Sequence, residues 1–220
     1  MDQSLKELLD KGIEQIDSQL LDEKLSKKLQ RLYDEISLFN PSYGLVNAEG
    51  QELVVKHILD CLAPVPMLVR QANFDSINMA DLGSGSGLPG LVLASSLPQW
   101  KITLVERMGR RVGFLRNTIP LMGLASQVSV LQKDLSEVQN YYNVITFRAF
   151  RAFKDIICDL DRILIPGGKI FAYKSSEENI NDELEVINAY KACKFDTQVI
   201  DYTVPMLDAK RRMLIVTKQV

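Results

Sequence analysis

The sequence predicts an α/β fold in which an open, mostly parallel sheet is flanked by helices and preceded by a helical extension. Three observations predict it. From residue 78 onward, apolar runs of strand length alternate with amphipathic stretches of helix length. Over residues 78–97, a buried strand, a glycine-rich turn and a helix follow one another without a break. Before residue 67, only helical periodicity is found. The division is therefore a helical extension over 1–66 packed on a core over 67–220.

The chain of 220 residues is long enough for one α/β domain and a small extension, and 46% hydrophobic content suits a packed globule. A net charge of -2 gives no global attraction to nucleic acid, so any such contact needs a local basic patch. The cysteines, Cys61, Cys158 and Cys193, are odd in number and form no C-x-x-C pair. Neither a disulfide framework nor a zinc site is expected, and a reducing, cytoplasmic compartment fits. The first residues form no apolar signal segment, and no apolar run approaches the ~20 residues of a membrane span. Neither membrane nor metal is an expected partner. The sequence is silent on oligomeric state, and a monomer is the working expectation.

Residues 3–39 carry two apolar stripes at helical spacing. One is Leu5, Leu8, Leu9, Ile13 and Ile16; the other is Leu21, Leu25, Leu29, Leu32, Ile36 and Leu38. Asn40-Pro41-Ser42-Tyr43-Gly44 is expected to break the second helix. It looks superficially like an Asn-Pro-x-Tyr amino-group site, but nothing strand-like precedes it, so a turn is the simpler account. Gln51–Leu62 is a further helix. It carries the only histidine, His57, with Asp60 three residues on, on the same face. A place near a ligand mouth, or an RNA contact, suits this pair. Pro64 and Pro66 are expected to end that helix.

The core opens with Met79, Ala80 and Leu82 as a buried strand. Gly83, Gly85, Gly87 and Gly90 then crowd into a turn, and Leu91–Leu97 begins a helix. Such glycines permit left-handed backbone and let a ligand lie against the main chain, at the N-terminus of a helix. Read from Gly85, the run matches the dinucleotide pattern G-x-G-x-x-G, with Glu106 about 20 residues on. Two details oppose that reading. The turn begins at Gly83, two residues early, and Asp81 at the strand end would repel a pyrophosphate. A carboxylate there suits a ligand with cationic groups, such as the ammonium and sulfonium of S-adenosyl-L-methionine.

Lys101–Glu106 is the second strand, and an acid at its end can accept ribose hydroxyls. Arg107–Leu121 is a helix with a basic face of Arg107, Arg110, Arg111 and Arg116, closed by Gly123. That face is either simply solvated or a phosphate contact. Val128–Leu131 is the third strand, followed by Asp134-Leu135-Ser136, placed to meet an adenine ring and its amino group. Asn143–Phe147 is the fourth strand. Ligands sit at the carboxyl ends of parallel strands, so Arg148 points towards the site. Phe153–Ile163 is a helix. Pro166-Gly167-Gly168 is expected to turn the chain into a fifth strand, Lys169–Tyr173. Glu177–Cys193 is a polar amphipathic helix. Residues 195–204 and 212–218 are two last strands, expected to pair antiparallel because no helix separates them.

Taken together, these parts resemble the Rossmann-like, seven-stranded methyltransferases that use S-adenosyl-L-methionine. More narrowly, residues 30–218 resemble the RsmG (GidB) family, which methylates N7 of a guanine in bacterial 16S ribosomal RNA. The resemblance rests on His57-Ile-Leu-Asp60, Asp81-Leu-Gly-Ser-Gly-Ser-Gly-Leu-Pro-Gly90, Gly109-Arg-Arg-Val-Gly-Phe-Leu-Arg116, Arg148-Ala-Phe150 and Leu207-Asp-Ala-Lys-Arg211. It implies that Gly83 and Leu88 line the cofactor, that Leu135 and Ser136 contact its adenine, and that Arg148 belongs to the same pocket. It also implies that Arg110 and Arg111 face RNA. The full candidate set adds Asp81, Gly85, Glu106 and Asp134 on the cofactor side, and Arg116, Lys174 and Arg211 on the RNA side. The partner is 16S rRNA or the small ribosomal subunit. Departures from the family pattern lie at Gly44, Phe147 and Tyr173-Lys174-Ser175.

Guanine N7 has a lone pair and no proton to lose, so the reaction asks for alignment rather than for a general base. The scarcity of histidine and the lack of a cysteine nucleophile after a strand agree with this. Arg148 is the one candidate for a positioning role in catalysis. A nicotinamide-dependent oxidoreductase using the Gly85 register, and a non-catalytic RNA-binding module on the same fold, are the competing readings.

Overall fold

The computed structural model describes residues 1–175 and 177–220. The extension begins with α1 (Gln3–Ile16) and α2 (Glu23–Tyr43). Asp2 and Asp22 cap them, their carboxylates accepting from the amides of Leu5 (2.9 Å) and Leu25 (2.6 Å). The apolar stripes bury Leu9 and Ile13 of α1, and Leu25, Leu29, Leu32 and Ile36 of α2. Leu38 departs from expectation and is 71% exposed. It lies two residues beyond Ile36, which puts it on the opposite face of the helix.

A second departure lies at the end of α2. The helix does not break at Asn40 but runs through Pro41 to Tyr43. Gly44, at φ +58°, ends it, and its N–H donates to the Asn40 carbonyl over 2.9 Å. The Asn40 side chain accepts from the amides of Leu45 (2.8 Å) and Val46 (2.9 Å). Asn-Pro-Ser-Tyr is thus a helix end and not a strand end.

One continuous helical run follows, made of α3 (Gly50–Leu53), a π-helical stretch (Val54–Leu59) and α4 (Asp60–Leu62). The prolines do not lead directly into the core. They open another helix, α5 (Val65–Gln71), with Pro66 in its first turn, where no amide donor is needed.

The core carries β1 (Asn78–Leu82), α6 (Gly90–Ser96), β2 (Lys101–Val105), α7 (Gly109–Leu121), β3 (Val128–Leu131) and β4 (Tyr142–Arg148). Then come α8 (Phe153–Ile163), β5 (Leu164–Lys174), α9 (Glu177–Ala189), β6 (Phe195–Tyr202) and β7 (Arg211–Lys218). The strands form one seven-stranded sheet in the order β3-β2-β1-β4-β5-β7-β6. Pairing is parallel from β3 to β5, and β7 runs antiparallel to both β5 and β6. Pro166-Gly167-Gly168 lies inside β5 rather than before it. Its cost is local: the register with β4 jumps from Tyr142↔Leu164 to Val144↔Lys169.

Side chains alternate across the sheet. Met79, Ile102, Leu104, Val144 and Phe171 join α6, α7 and the N-terminal helices in one apolar cluster. Ala80, Leu82, Ile145, Ile170 and Leu214 pack with α8 and α9 in the other. The strand order reverses between β1 and β4, so the crevice at their carboxyl ends is where an open α/β sheet binds ligands. Among the described residues, no helix is long and apolar enough to cross a membrane.

Candidate active site

The glycine turn is pinned to the second strand by backbone. The N–H groups of Gly83 and Ser84 donate to the Val105 carbonyl over 2.9 and 3.2 Å. The turn therefore starts at Gly83, not at Gly85, which is the register that the dinucleotide pattern lacks. Gly83, Gly85 and Gly87 adopt φ of +68°, +55° and +82°. A Cβ on Gly83 would stand 2.3 Å from the Phe150 ring, and one on Gly90 2.6 Å from Asp81 Oδ2. At Gly85, which is buried, the nearest atoms would be at 3.7 and 3.9 Å, so its left-handed backbone and not crowding is what favours glycine there.

The acids divide by role. Glu106 is buried and joins two loops: Oε2 accepts from the Gly85 amide (3.0 Å) and Oε1 from the Met108 amide (2.8 Å). Arg111 Nη1 lies 3.9 Å from the same carboxylate. Asp81 departs from the sequence reading of a carboxylate charge at the strand end. It is 0% exposed and sits beneath the turn, where Oδ2 accepts from the Gly90 amide at 3.1 Å. Its other oxygen, Oδ1, has no hydrogen-bond partner. Burial pushes its carboxyl up to about 7, against weaker opposition from the Ser84 and Gly90 bonds, so at neutral pH it is not a firm anion. Asp134 behaves oppositely. It caps the short 3-10 turn Leu135–Glu137 and pairs with Arg151, whose hydrogen bond is the largest reason its carboxyl sits at about 2. Leu135 is buried below it, and the Ser136 hydroxyl donates to Asp134 Oδ1 at 3.1 Å.

Arg148 ends β4 as expected and is held by the extension. Nη1 donates to the Lys56 carbonyl (3.2 Å) and to Asp60 Oδ2 (3.0 Å), and Nη2 lies 2.6 Å from His57 Nδ1. Lys56, His57 and Asp60 lie close together on one side of this helical run, His57 and Asp60 three positions apart, and so reach one guanidinium. Asp60 Oδ1 also accepts from Arg211 Nε at 3.0 Å, and the Tyr202 hydroxyl stands 3.4 Å away. Ala149 follows Arg148 at φ +51°, a strained value for a residue with a Cβ, and turns Phe150 onto Gly83. These side chains wall a cavity of about 750 Å³, which Phe150 separates from the glycine turn.

Lys174 and Arg211, which the sequence reading puts on the RNA side, line this cavity. Arg211 is drawn in by Asp60. Lys174 pairs with Glu183 at 2.6 Å and lies over the rings of Phe147 (5.8 Å) and Phe153 (5.6 Å). Each is a cation held by a nearby carboxylate, with little left for solvent. The basic face of α7 is where the sequence puts it. Arg110 and Arg116 are exposed and Arg111 half-buried, with Arg110 over the Tyr43 ring at 5.7 Å.

Sequence reasoning misses Tyr202, Glu183 and the clamp on Arg148. The one available signal is the His57–Asp60 spacing, which puts both on one helix face but does not say what they meet. Burial raises the thiols of Cys61 to about 12 and Cys193 to about 11, which leaves both protonated and unreactive at neutral pH. Among the described residues, no cluster of three or more His, Cys, Asp or Glu is placed to hold a metal ion.

Comparison with known proteins identifies this arrangement. Residues 25–215 match the GidB family, described as rRNA small subunit methyltransferase G. The chain is 32% identical over 224 residues to the ribosomal RNA small subunit methyltransferase G of Treponema denticola, covering 89% of this chain and 87% of that one. It is 31% identical over 205 residues to the protein of that name from Xanthomonas campestris pv. campestris, covering 92% of each. Solved structures share the fold at low identity. A ribosomal protein L11 methylase from Lactobacillus delbrueckii subsp. bulgaricus superposes with a TM-score of 0.57 at 13% identity, over 73% of this chain and 79% of that one. An rRNA methylase from Streptococcus thermophilus gives 0.52 at 14%, over 71% and 97%. The nicotinamide reading of the Gly85 register is left without support. The chain belongs to the GidB family of small-subunit rRNA methyltransferases.

Proposed function

We propose that the protein transfers the methyl group of S-adenosyl-L-methionine to N7 of a guanine in 16S rRNA, acting in the cytoplasm as a monomer. The observation that carries this reading is the left-handed glycine turn at Gly83 and Gly85, held against Glu106 at the carboxyl end of β2, with Phe150 between it and the Arg148-lined cavity. These residues suit such a donor. The left-handed turn at Gly83 and Gly85 admits no side chain without strain, and a carboxylate has lone pairs beyond the two that Glu106 spends on Gly85 and Met108. Gly83, Gly85 and Leu88 would line the donor, Glu106 would accept from its ribose, and Asp134, Leu135 and Ser136 would meet its adenine. Asp81 would act from below, by fixing the amino end of α6. When bound, the donor supplies an electrophilic methyl on a sulfonium.

The protein's own part is to hold, orient and exclude. Arg148 is fixed by three acceptors at the mouth of the cavity and would position the base. Phe150 and Phe153 keep water from one wall. Guanine N7 carries no proton, so no general base is needed. Agreeing with this, the lone pair of His57 Nδ1, the one that could act as a base, is taken up by Arg148, and the buried thiol of Cys61 stays protonated. Arg110, Arg111 and Arg116 offer the phosphate contacts. The test is to incubate purified protein with labelled donor and unmodified small-subunit RNA, then map the product by mass spectrometry. One 7-methylguanine is expected. No incorporation, or a methyl on another atom, would overturn the reading.

A further inference from the structure

The cavity at the carboxyl ends of β4 and β5 holds a histidine whose tautomer is determined by its neighbour. A guanidinium has N–H donors and no acceptor, so in the 2.6 Å contact with Arg148 Nη2 the lone pair belongs to His57 Nδ1. The ring is therefore neutral, with its proton on Nε2. Burial first, then the Arg148 charge, hold its pKa down at about 4; Lys56 and Arg211 add to this and Glu52 opposes it. Nε2 has no partner among the described residues, and the ring lines the cavity. Arg148, Arg151, Lys174 and Arg211, which share the wall, each already face a carboxylate.

Lys154 also lines the cavity, but it is exposed and its ammonium carries three rotatable donors, whereas a single donor on a fixed ring selects among bases. The edge of guanine that carries N7 also carries O6, and both are acceptors. N7 must stay free to receive the methyl group, which leaves O6 in need of a donor. Adenine presents an amino group at that position, so donor would face donor. We propose that the Nε2–H of His57 donates to O6 of the target guanine and is the group that selects guanine over adenine; this rests on the methyl-transfer reading above. Arg148 is then a positioning residue, holding both the orientation and the tautomer of His57.

The test uses the full-length protein and small-subunit RNA in which the mapped guanine is replaced by 2-aminopurine, which keeps N7 and lacks O6. Wild type should lose about 10- to 100-fold in kcat/KM on the replaced RNA, the effect of one hydrogen bond left unmade. His57→Ala should lose a similar factor on guanine, and no more when both changes are combined. His57→Gln, which restores an N–H at the ε position, should recover part of the loss. Unchanged donor affinity of His57→Ala by calorimetry shows that the variant is folded. Losses that multiply, a wild type indifferent to 2-aminopurine, or full activity of His57→Ala on guanine would overturn the assignment alone. A wild type that methylates no guanine would overturn the functional reading, and this one with it, before any variant is made.

Discussion

At Gly83, two independent constraints fall on one Cα. The backbone is left-handed, and the Phe150 ring occupies the space of a side chain. Gly83→Ala is expected to cost about 1–3 kcal/mol of stability and at least about tenfold in donor affinity. Calorimetry with S-adenosyl-L-methionine checks this, and unaltered affinity would detach the turn from the donor. Asp81 sets a second expectation. Its folded pKa of about 7 lies above the 3.8 of the free group, so the folded protein keeps a proton that the unfolded chain releases. The stability that this group contributes is complete below pH 3.8 and is lost as pH rises through about 7. Asp81→Asn removes that loss. Between pH 5 and 8 the Tm difference should move in favour of the variant, by several degrees. Parallel Tm curves would show that Asp81 ionises freely.

Among the elements, α1 and the π-helical stretch form the joint that aims the extension at the site. Gly12 of α1 lies so close to Leu59 that a Cβ would stand 2.3 Å from its Cδ1. Gly12→Val should destabilise by about 1–3 kcal/mol, as overpacked helix joints do. Because Leu59 closes the stretch that carries His57, kcat/KM should fall with it; a urea midpoint and activity that both stay at wild-type values would refute the coupling. On α7, the basic face is separate from the donor turn except through Arg111 and Glu106. Arg110→Ala with Arg111→Ala should lower the salt slope of RNA binding by about 1.4, from two phosphate contacts at ~0.7 each on single strands. A slope equal to wild type would make that face merely solvated.

For the whole molecule, the division at residue 66 is a boundary of pattern and not of packing. Leu9, Leu32, Ile58 and Leu68 share one apolar cluster with Met79, Leu91, Ile102 and Leu115. Removing residues 1–66 would strip the outer apolar cover from α6, α7 and that face of the sheet, and free Arg148 from Asp60 and His57. The full chain is therefore expected to unfold in one calorimetric transition, and residues 67–220 alone to show no cooperative transition. Two separate transitions in the full chain would restore the extension as an independent unit.

Periodicity and glycine spacing were enough to determine the strands, their number, the antiparallel last pair and the turn at Gly83, because those features depend on residues close in sequence. The same locality makes the position of Asp134, Leu135 and Ser136, a few residues after β3, legible in the sequence. Tertiary structure decided the rest. Whether Asp81 is a charge depends on what buries it, and whether Lys174 and Arg211 meet solvent depends on Glu183 and Asp60, which are distant or unsignalled in the chain. The clamp of His57 and Asp60 on Arg148 spans about 90 positions, and no local pattern pairs a helix face with a strand end so far along the chain. Local chemistry writes the elements; desolvation and long-range pairing, which exist only once the chain is folded, assign the charges their work.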